Sequence, residues 1–119
     1  MSFYAHKYWV RSVTFSHDSR FILSGADDNL VKIWNLEGCE IKCFEGHSDW
    51  VLAVCFSFNG ESVVSASNDR VLKVWDVESM NERVSLNGFD EIANTVSFSK
   101  CGKYIVVESI YRVLAVFKF

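Results

Sequence analysis

The sequence predicts an all-β protein built from repeated four-stranded antiparallel units, and three observations carry that expectation. First, the chain repeats itself: slid by 41 residues, His6 falls on His47, Trp9 on Trp50, Val13 on Val54, Phe15 on Phe56 and Ser16 on Ser57. Second, the apolar runs within a unit are short, rich in β-branched and aromatic residues, and bounded by turn formers. Third, no stretch sustains the 3.6-residue periodicity of an amphipathic helix, so no helix is predicted.

The register continues without a gap through Ser24 on Ser65, Asp28 on Asp69, Lys32 on Lys73 and Trp34 on Trp75. Tryptophan is rare, and two matched pairs at one offset are hard to obtain by chance. A further shift of 42 places Phe56 on Phe98, Gly60 on Gly102, Arg70 on Arg112, Val74 on Val116 and Trp75 on Phe117. One region, 1–119, therefore divides into approximate repeats 5–45, 46–87 and 88–119, the last of them diverged.

The second unit shows the elements in order. Residues 51–56, 62–66, 71–75 and 82–86 read as strands of about five residues. Phe58-Asn59-Gly60, Asn68-Asp69-Arg70 and Glu78-Ser79-Met80-Asn81 separate them as turns. Several of these strands are apolar on both faces, as expected of a sheet covered on both sides. The first unit follows by the 41-residue shift.

Composition agrees with a folded domain. Half of the 119 residues are apolar, and 12 basic against 15 acidic side chains leave a net charge of −3. Disorder needs lower hydrophobicity and higher net charge. The mild acidity, without a basic block or stripe, lacks the electrostatic footprint of a nucleic-acid binder. The local basic group Lys100, Lys103, Arg112 and Lys118 is interrupted by acids and reads as a solvated face.

Cys39, Cys43, Cys55 and Cys101 do not make a metal or disulfide framework on spacing. Cys39, Ile41 and Cys43 alternate along one strand face, and the other two stand far from any cysteine or histidine at ligand spacing. Scattered reduced thiols point to an intracellular, cytoplasmic or nuclear protein. The first residues lack the apolar core of a signal peptide, and no apolar run approaches the roughly 20 residues that span a bilayer.

Gly46-His47, Phe56-Ser57-Phe58-Asn59-Gly60, Ser65-Ala66-Ser67-Asn68-Asp69 and Val74-Trp75-Asp76 together resemble the WD40 repeat family. The first unit carries Ala5-His6, Phe15-Ser16-His17-Asp18-Ser19, Ser24-Gly25-Ala26-Asp27-Asp28 and Ile33-Trp34-Asn35 at the same places. The resemblance implies β-propeller blades, four-stranded sheets set around a central channel. About three such blades form a partial propeller, or one completed by another copy or chain. Residues 1–4 are a candidate ring-closing outer strand.

His6, Ser24, Asp28 and Trp34, then His47, Ser65, Asp69 and Trp75, include two Ser–His–Asp sets. In a family of this kind the equivalent side chains form a structural chain from indole N–H through hydroxyl and imidazole to carboxylate. Such a network rewards only the correct register, because buried polar groups must be paired. No catalytic residue, cofactor or metal is expected. In the third unit Phe89, Val107, Tyr111 and Phe117 stand at these positions, so every polar member is gone together and apolar packing must replace the network.

The resemblance places a partner-contacting surface just before the first strand of each unit and in the turn before its aspartate. Those positions hold Lys7, Trp9 and Asp27, then Ser48, Trp50 and Asn68, then Asp90, Ile92 and Ile110. Trp9 and Trp50, each preceding an inward-patterned valine, read as interface anchors, with capping of the core beneath the loop as the alternative. His17 reads as a solvated turn residue.

The function expected is a non-catalytic protein–protein interaction scaffold or subunit of a larger complex. A peptide or modified-peptide recognition domain is the alternative, and a hydrolase using one His–Ser–Asp set is a third reading. Partners would be other proteins, and further blades from a second copy, another chain or missing parts of a longer protein. No membrane and no direct nucleic-acid contact is expected.

Overall fold

The fold is seen in a computed structural model, which describes residues 2–86 and 91–118. Among them are eleven strands and no helix. The first sheet runs β1 (Val10–Phe15), β2 (Phe21–Ala26), β3 (Val31–Asn35) and β4 (Glu40–Phe44). The second runs β5 (Val51–Phe56), β6 (Ser62–Ser67), β7 (Leu72–Asp76) and β8 (Glu82–Leu86). The third has β9 (Ala93–Phe98), β10 (Tyr104–Ser109) and β11 (Leu114–Lys118). In each sheet neighbours in sequence are neighbours in space, and every pair is antiparallel.

The backbone repeats as faithfully as the side chains. Asn29, Arg70 and Arg112 have φ of 70°, 66° and 68°, at the 41- and 42-residue offsets. Ser19, Gly60 and Gly102 follow the same offsets at 61°, 76° and 78°. The third unit thus keeps the left-handed turn positions after losing the polar side chains, because the turns are set by ladder register. The first-to-second-strand turn also keeps one hydrogen bond in each unit, Ser16 N–H to Phe21 C=O, Ser57 to Ser62 and Ser99 to Tyr104.

The core lies between sheets. Leu23, Val31, Ile33 and Phe44 of the first sheet pack against Val51, Val54, Phe56, Val63 and Trp75 of the second. On the other side of the second sheet, Ala53, Val64, Ala66, Leu72 and Val74 meet Ala93, Val96, Ile105 and Val107 of the third. This double covering is why strands of the middle sheet are apolar on both faces. Gly25 marks the closest approach. A Cβ there would lie 2.6 Å from Val51 Cγ1 and 2.9 Å from Val54 Cγ1.

Three places differ from the repeat pattern. Among the described residues the third sheet has three strands. Residues 2–4 pair with no strand among them. Instead the Phe3 ring lies on Trp34 with centroids 5.1 Å apart, as Phe44 lies on Trp75 at 5.5 Å. Val10, patterned as an inward residue, is exposed, because no sheet among the described residues covers that face of the first sheet. In the third sheet Val107 is buried and Phe117 packs against the second core cluster, while Phe89 lies outside the described residues.

Candidate functional site

Polar and aromatic side chains form two arrangements: the chains inside the first two sheets, and an aromatic recess at one end of them. In the second sheet the Trp75 Nε1–H donates to Ser65 Oγ at 2.8 Å. Ser65 Oγ lies 2.6 Å from His47 Nε2, and His47 Nδ1 lies 3.0 Å from Asp69 Oδ2. In the first sheet the same contacts are Trp34 to Ser24 at 2.9 Å, Ser24 to His6 at 2.6 Å and His6 to Asp28 at 2.8 Å. A carboxylate only accepts, so the imidazole carries its proton on Nδ1 and its Nε2 accepts from the serine hydroxyl. Each donor then has one acceptor, from indole to carboxylate.

Backbone groups tie the far end of each chain into its turn. Asp69 Oδ1 accepts from Val71 N–H at 2.9 Å, and its Oδ2 also accepts from Ser48 N–H at 3.1 Å. Asp28 Oδ1 accepts from Leu30 N–H at 3.1 Å. Burial pushes the Asp69 carboxyl up, but the bonds from His47, Val71 and Ser48 outweigh it and hold the group below the usual carboxylate range. Burial pushes His47 below its ordinary value despite the opposing pull of Asp69. Ser24 and Ser65 are both buried, and each hydroxyl oxygen already takes an indole N–H.

The recess lies at the end of the sheets where the chain enters β1 and β5. Asp27 N–H donates to Trp9 C=O at 2.9 Å, Asn68 N–H to Trp50 C=O at 2.8 Å, and Ile110 N–H to Ile92 C=O at 3.2 Å. The residue before each first strand is therefore fastened to the residue after each second strand, once per sheet. Trp9 is 74% exposed and Trp50 43% exposed. Between them stands Arg11, its guanidinium carbon 5.2 Å from the Trp9 ring centre and 4.7 Å from that of Trp50. Arg11 Nε and Nη2 both donate to Asp27, at 2.6 and 2.8 Å. That bidentate pair fixes the plane on which the rings stack. The Arg11 bonds hold the Asp27 carboxyl below its ordinary value. With Tyr8, these four residues line a shallow recess of about 310 Å³.

Trp9, Asp27 and Trp50 of the expected binding residues are brought together there. Lys7 and Ser48 are exposed beside the histidines, outside the recess lining. Asn68 Nδ2 turns to Asp49 Oδ2 at 3.2 Å. Ile92 and Ile110 belong to the third sheet, and Asp90 lies outside the described residues. Sequence reasoning missed Arg11. The available signal was a charged residue where the next unit has Leu52, two places from a tryptophan and so on the same strand face.

At the opposite end of the sheets a cleft of about 250 Å³ lies between the turns, lined by Phe21, Ile41, Phe56 and Phe58 among others. His17 is exposed, as expected of a turn residue, but its ring also stacks on Phe58 with centroids 4.8 Å apart. The four thiols are free, and no group of metal-binding side chains occurs among the described residues. Among those residues no helix is long and apolar enough to cross a membrane.

A family model described as WD40, the WD domain G-beta repeat, matches residues 1–35 and 38–76. The chain belongs to the WD40 repeat family. The match takes in both intact polar chains and ends at Asp76, before β8 and the third sheet. Three sheets of three or four antiparallel strands are blades of the propeller kind. Among curated relatives, the chain is 59% identical over 29 residues to the WD repeat and SOCS box-containing protein 1 of Xenopus tropicalis. It is 52% identical over 33 residues to the protein of that name in Danio rerio. Over another 33-residue match it is 46% identical to the general transcriptional corepressor TUP1 of Saccharomyces cerevisiae. These matches take in 24%, 28% and 28% of this chain, and 7%, 8% and 5% of the respective relatives.

Proposed function

We propose that this WD40 chain is a non-catalytic protein–protein interaction scaffold and a subunit of a larger intracellular assembly. The observation that carries the reading is the Trp9–Arg11–Trp50 stack. Tryptophan and arginine dominate interface energetics, and rings held in place before binding lose little freedom on contact. Asp27 neutralises Arg11, so the surface offered is aromatic rather than cationic.

The buried polar chains support the non-catalytic part. A serine nucleophile needs access and an oxyanion hole, whereas Ser24 and Ser65 are enclosed and engaged by indole donors. They serve instead to hold blade register in repeats 5–45 and 46–87, with apolar packing taking over in 88–119. Further blades from outside these 119 residues complete the structure. What supports this is exposure: Val13 and Phe15 are 65% and 61% exposed where their equivalents Val54 and Phe56 are 6% and 3%.

Recognition of a short or modified peptide is a narrower form of the same reading, favoured by the small size of the recess. Site-specific photo-crosslinking tests the proposal. A photoreactive residue at Tyr8 is expected to capture discrete proteins from cell extract, and one at Lys103, at the far end of the third sheet, is not. Identical adducts from both positions, or none from Tyr8, would contradict it.

A further inference from the structure

At the end of the sheets opposite the recess, the turns form two clefts at equivalent places in the repeat. The first, of about 250 Å³, lies between the first and second sheets, and the second lies between the second and third. Ser16 and Phe56 line the first where Ser57 and Phe98 line the second, at the 41- and 42-residue offsets. Ile41 answers to Arg83, because Glu40 pairs with Trp34 as Glu82 pairs with Trp75.

Three equivalent positions differ in kind. Phe21, Ile41 and Phe58 of the first cleft are Ser62, Arg83 and Lys100 in the second. There the Arg83 Nη1–H donates to Ser62 Oγ at 2.7 Å. The fold therefore accepts a polar cleft at this place, and the apolar lining is a property of the first contact alone. Ile41 and Phe58 are 44% and 49% exposed on that lining, beside the buried Ile33 and Phe56.

Charge on the lining selects the occupant. Asp18 stands where the second cleft has the neutral Asn59. Its Oδ1 accepts from the Ser16 hydroxyl at 2.6 Å and from the Arg20 N–H at 3.1 Å, which leaves Oδ2 to accept from a ligand. Those bonds hold the carboxyl below its ordinary value, so it is charged at neutral pH. Lys42, also on the lining, has its ammonium drawn to the Glu78 C=O at 2.9 Å.

We propose that the first cleft is a second binding site, taking one bulky apolar side chain from a partner segment that carries a basic residue beside it. The apolar group removes Ile41 and Phe58 from water, and the basic group meets Asp18. Among the described residues, none of the third sheet and none of the tryptophan recess lines this cleft. The site therefore stands whether or not the recess binds a protein.

Methyl NMR of the full chain tests this, with acetylated and amidated dipeptides as probes. Phe-Lys is expected to shift the Ile33, Ile41 and Val77 methyls saturably. Phe-Glu is expected to bind about threefold more weakly, and Ala-Lys to leave those methyls unmoved. Ile41→Arg and Phe58→Lys copy residues that the second cleft already accommodates, and each is expected to weaken Phe-Lys binding by about tenfold. Asp18→Asn copies Asn59 and is expected to bring the two phenylalanine probes within about twofold of each other. Circular dichroism establishes that each variant is folded. The proposal is overturned if Phe-Lys moves none of these methyls, or if both apolar variants keep wild-type affinity. It is equally overturned if wild type has no preference for Phe-Lys over Phe-Glu, or if Asp18→Asn retains that preference. Phenethylamine binding as tightly as Phe-Lys would assign the cleft to a small amine and overturn the partner segment.

Discussion

The Phe3 ring lies 5.1 Å from the Trp34 indole at an interplanar angle of 49°, and it reproduces the Phe44–Trp75 pair, which stands at 5.5 Å and 49°. Phe3 and Phe44 are 41 residues apart, as are the two tryptophans. The segment before the first sheet therefore does for Trp34 what the end of β4 does for Trp75, without forming a strand. Offset aromatic pairs at this distance add stabilisation beyond area burial.

The two phenylalanines should differ in cost because only Phe44 is enclosed. Phe44→Ala leaves a cavity in the first core cluster and is expected to lower stability by about 3–5 kcal/mol. Phe3→Ala uncovers one face of Trp34 and is expected to cost about 1 kcal/mol. Urea denaturation of both variants checks the ordering, and equal losses would refute the difference in enclosure.

Ser65 is the midpoint of the second polar chain, so its removal strands two groups at once. Ser65→Ala leaves the Trp75 indole N–H and the His47 Nε2 without their partner in a buried site. A loss of about 2–5 kcal/mol is expected, against about 1–3 kcal/mol for Trp75→Phe, which removes one donor and keeps most of the ring. A structural hydroxyl also predicts that a serine-directed phosphonate probe leaves Ser24 and Ser65 unlabelled in the folded chain. Rapid labelling at either serine would revive the hydrolase reading.

The same chain makes stability depend on pH. Burial lowers the His47 value in the fold, and the hydrogen bonds to Asp69 keep its carboxyl below the ordinary value. The unfolded chain takes up both protons at higher pH than the folded one. Stability is therefore expected to fall as pH drops below about 6.5, the unfolded histidine value, and to fall again below about 4 as the unfolded aspartate protonates. His47→Gln should flatten the upper part of that curve. Urea midpoints between pH 7.5 and 5 read the effect, and a wild-type midpoint that rises on acidification would contradict it.

Much of this was legible because a repeat makes one unit comment on another. The 41-residue register located His6, Ser24, Asp28 and Trp34 from His47, Ser65, Asp69 and Trp75, and the side chains meet in both sheets. Trp9 and Trp50 were legible for the same reason. Arg11 was not, since it interrupts the repeat at Leu52, and its role depends on the distance between two sheets that no local pattern reports. Exposure at the ends was also hidden. Val13 and Val54 are the same residue type in the same pattern, and only the presence or absence of a neighbouring sheet separates them. Phe3 illustrates the converse: its repeat position was visible, but residues 2–4 lay one ring on Trp34 without a ladder to hold them as a strand.

The most direct test of the interaction surface is the affinity of Trp50→Ala for the protein captured through Tyr8. Anchors of this kind typically contribute 2 kcal/mol or more on truncation, so the dissociation constant is expected to rise by about 30-fold or more. The urea midpoint should stay close to wild type, because Trp50 lies outside both core clusters. A dissociation constant unchanged within about twofold, in a variant that is folded, would remove the Trp9–Arg11–Trp50 stack from the interface.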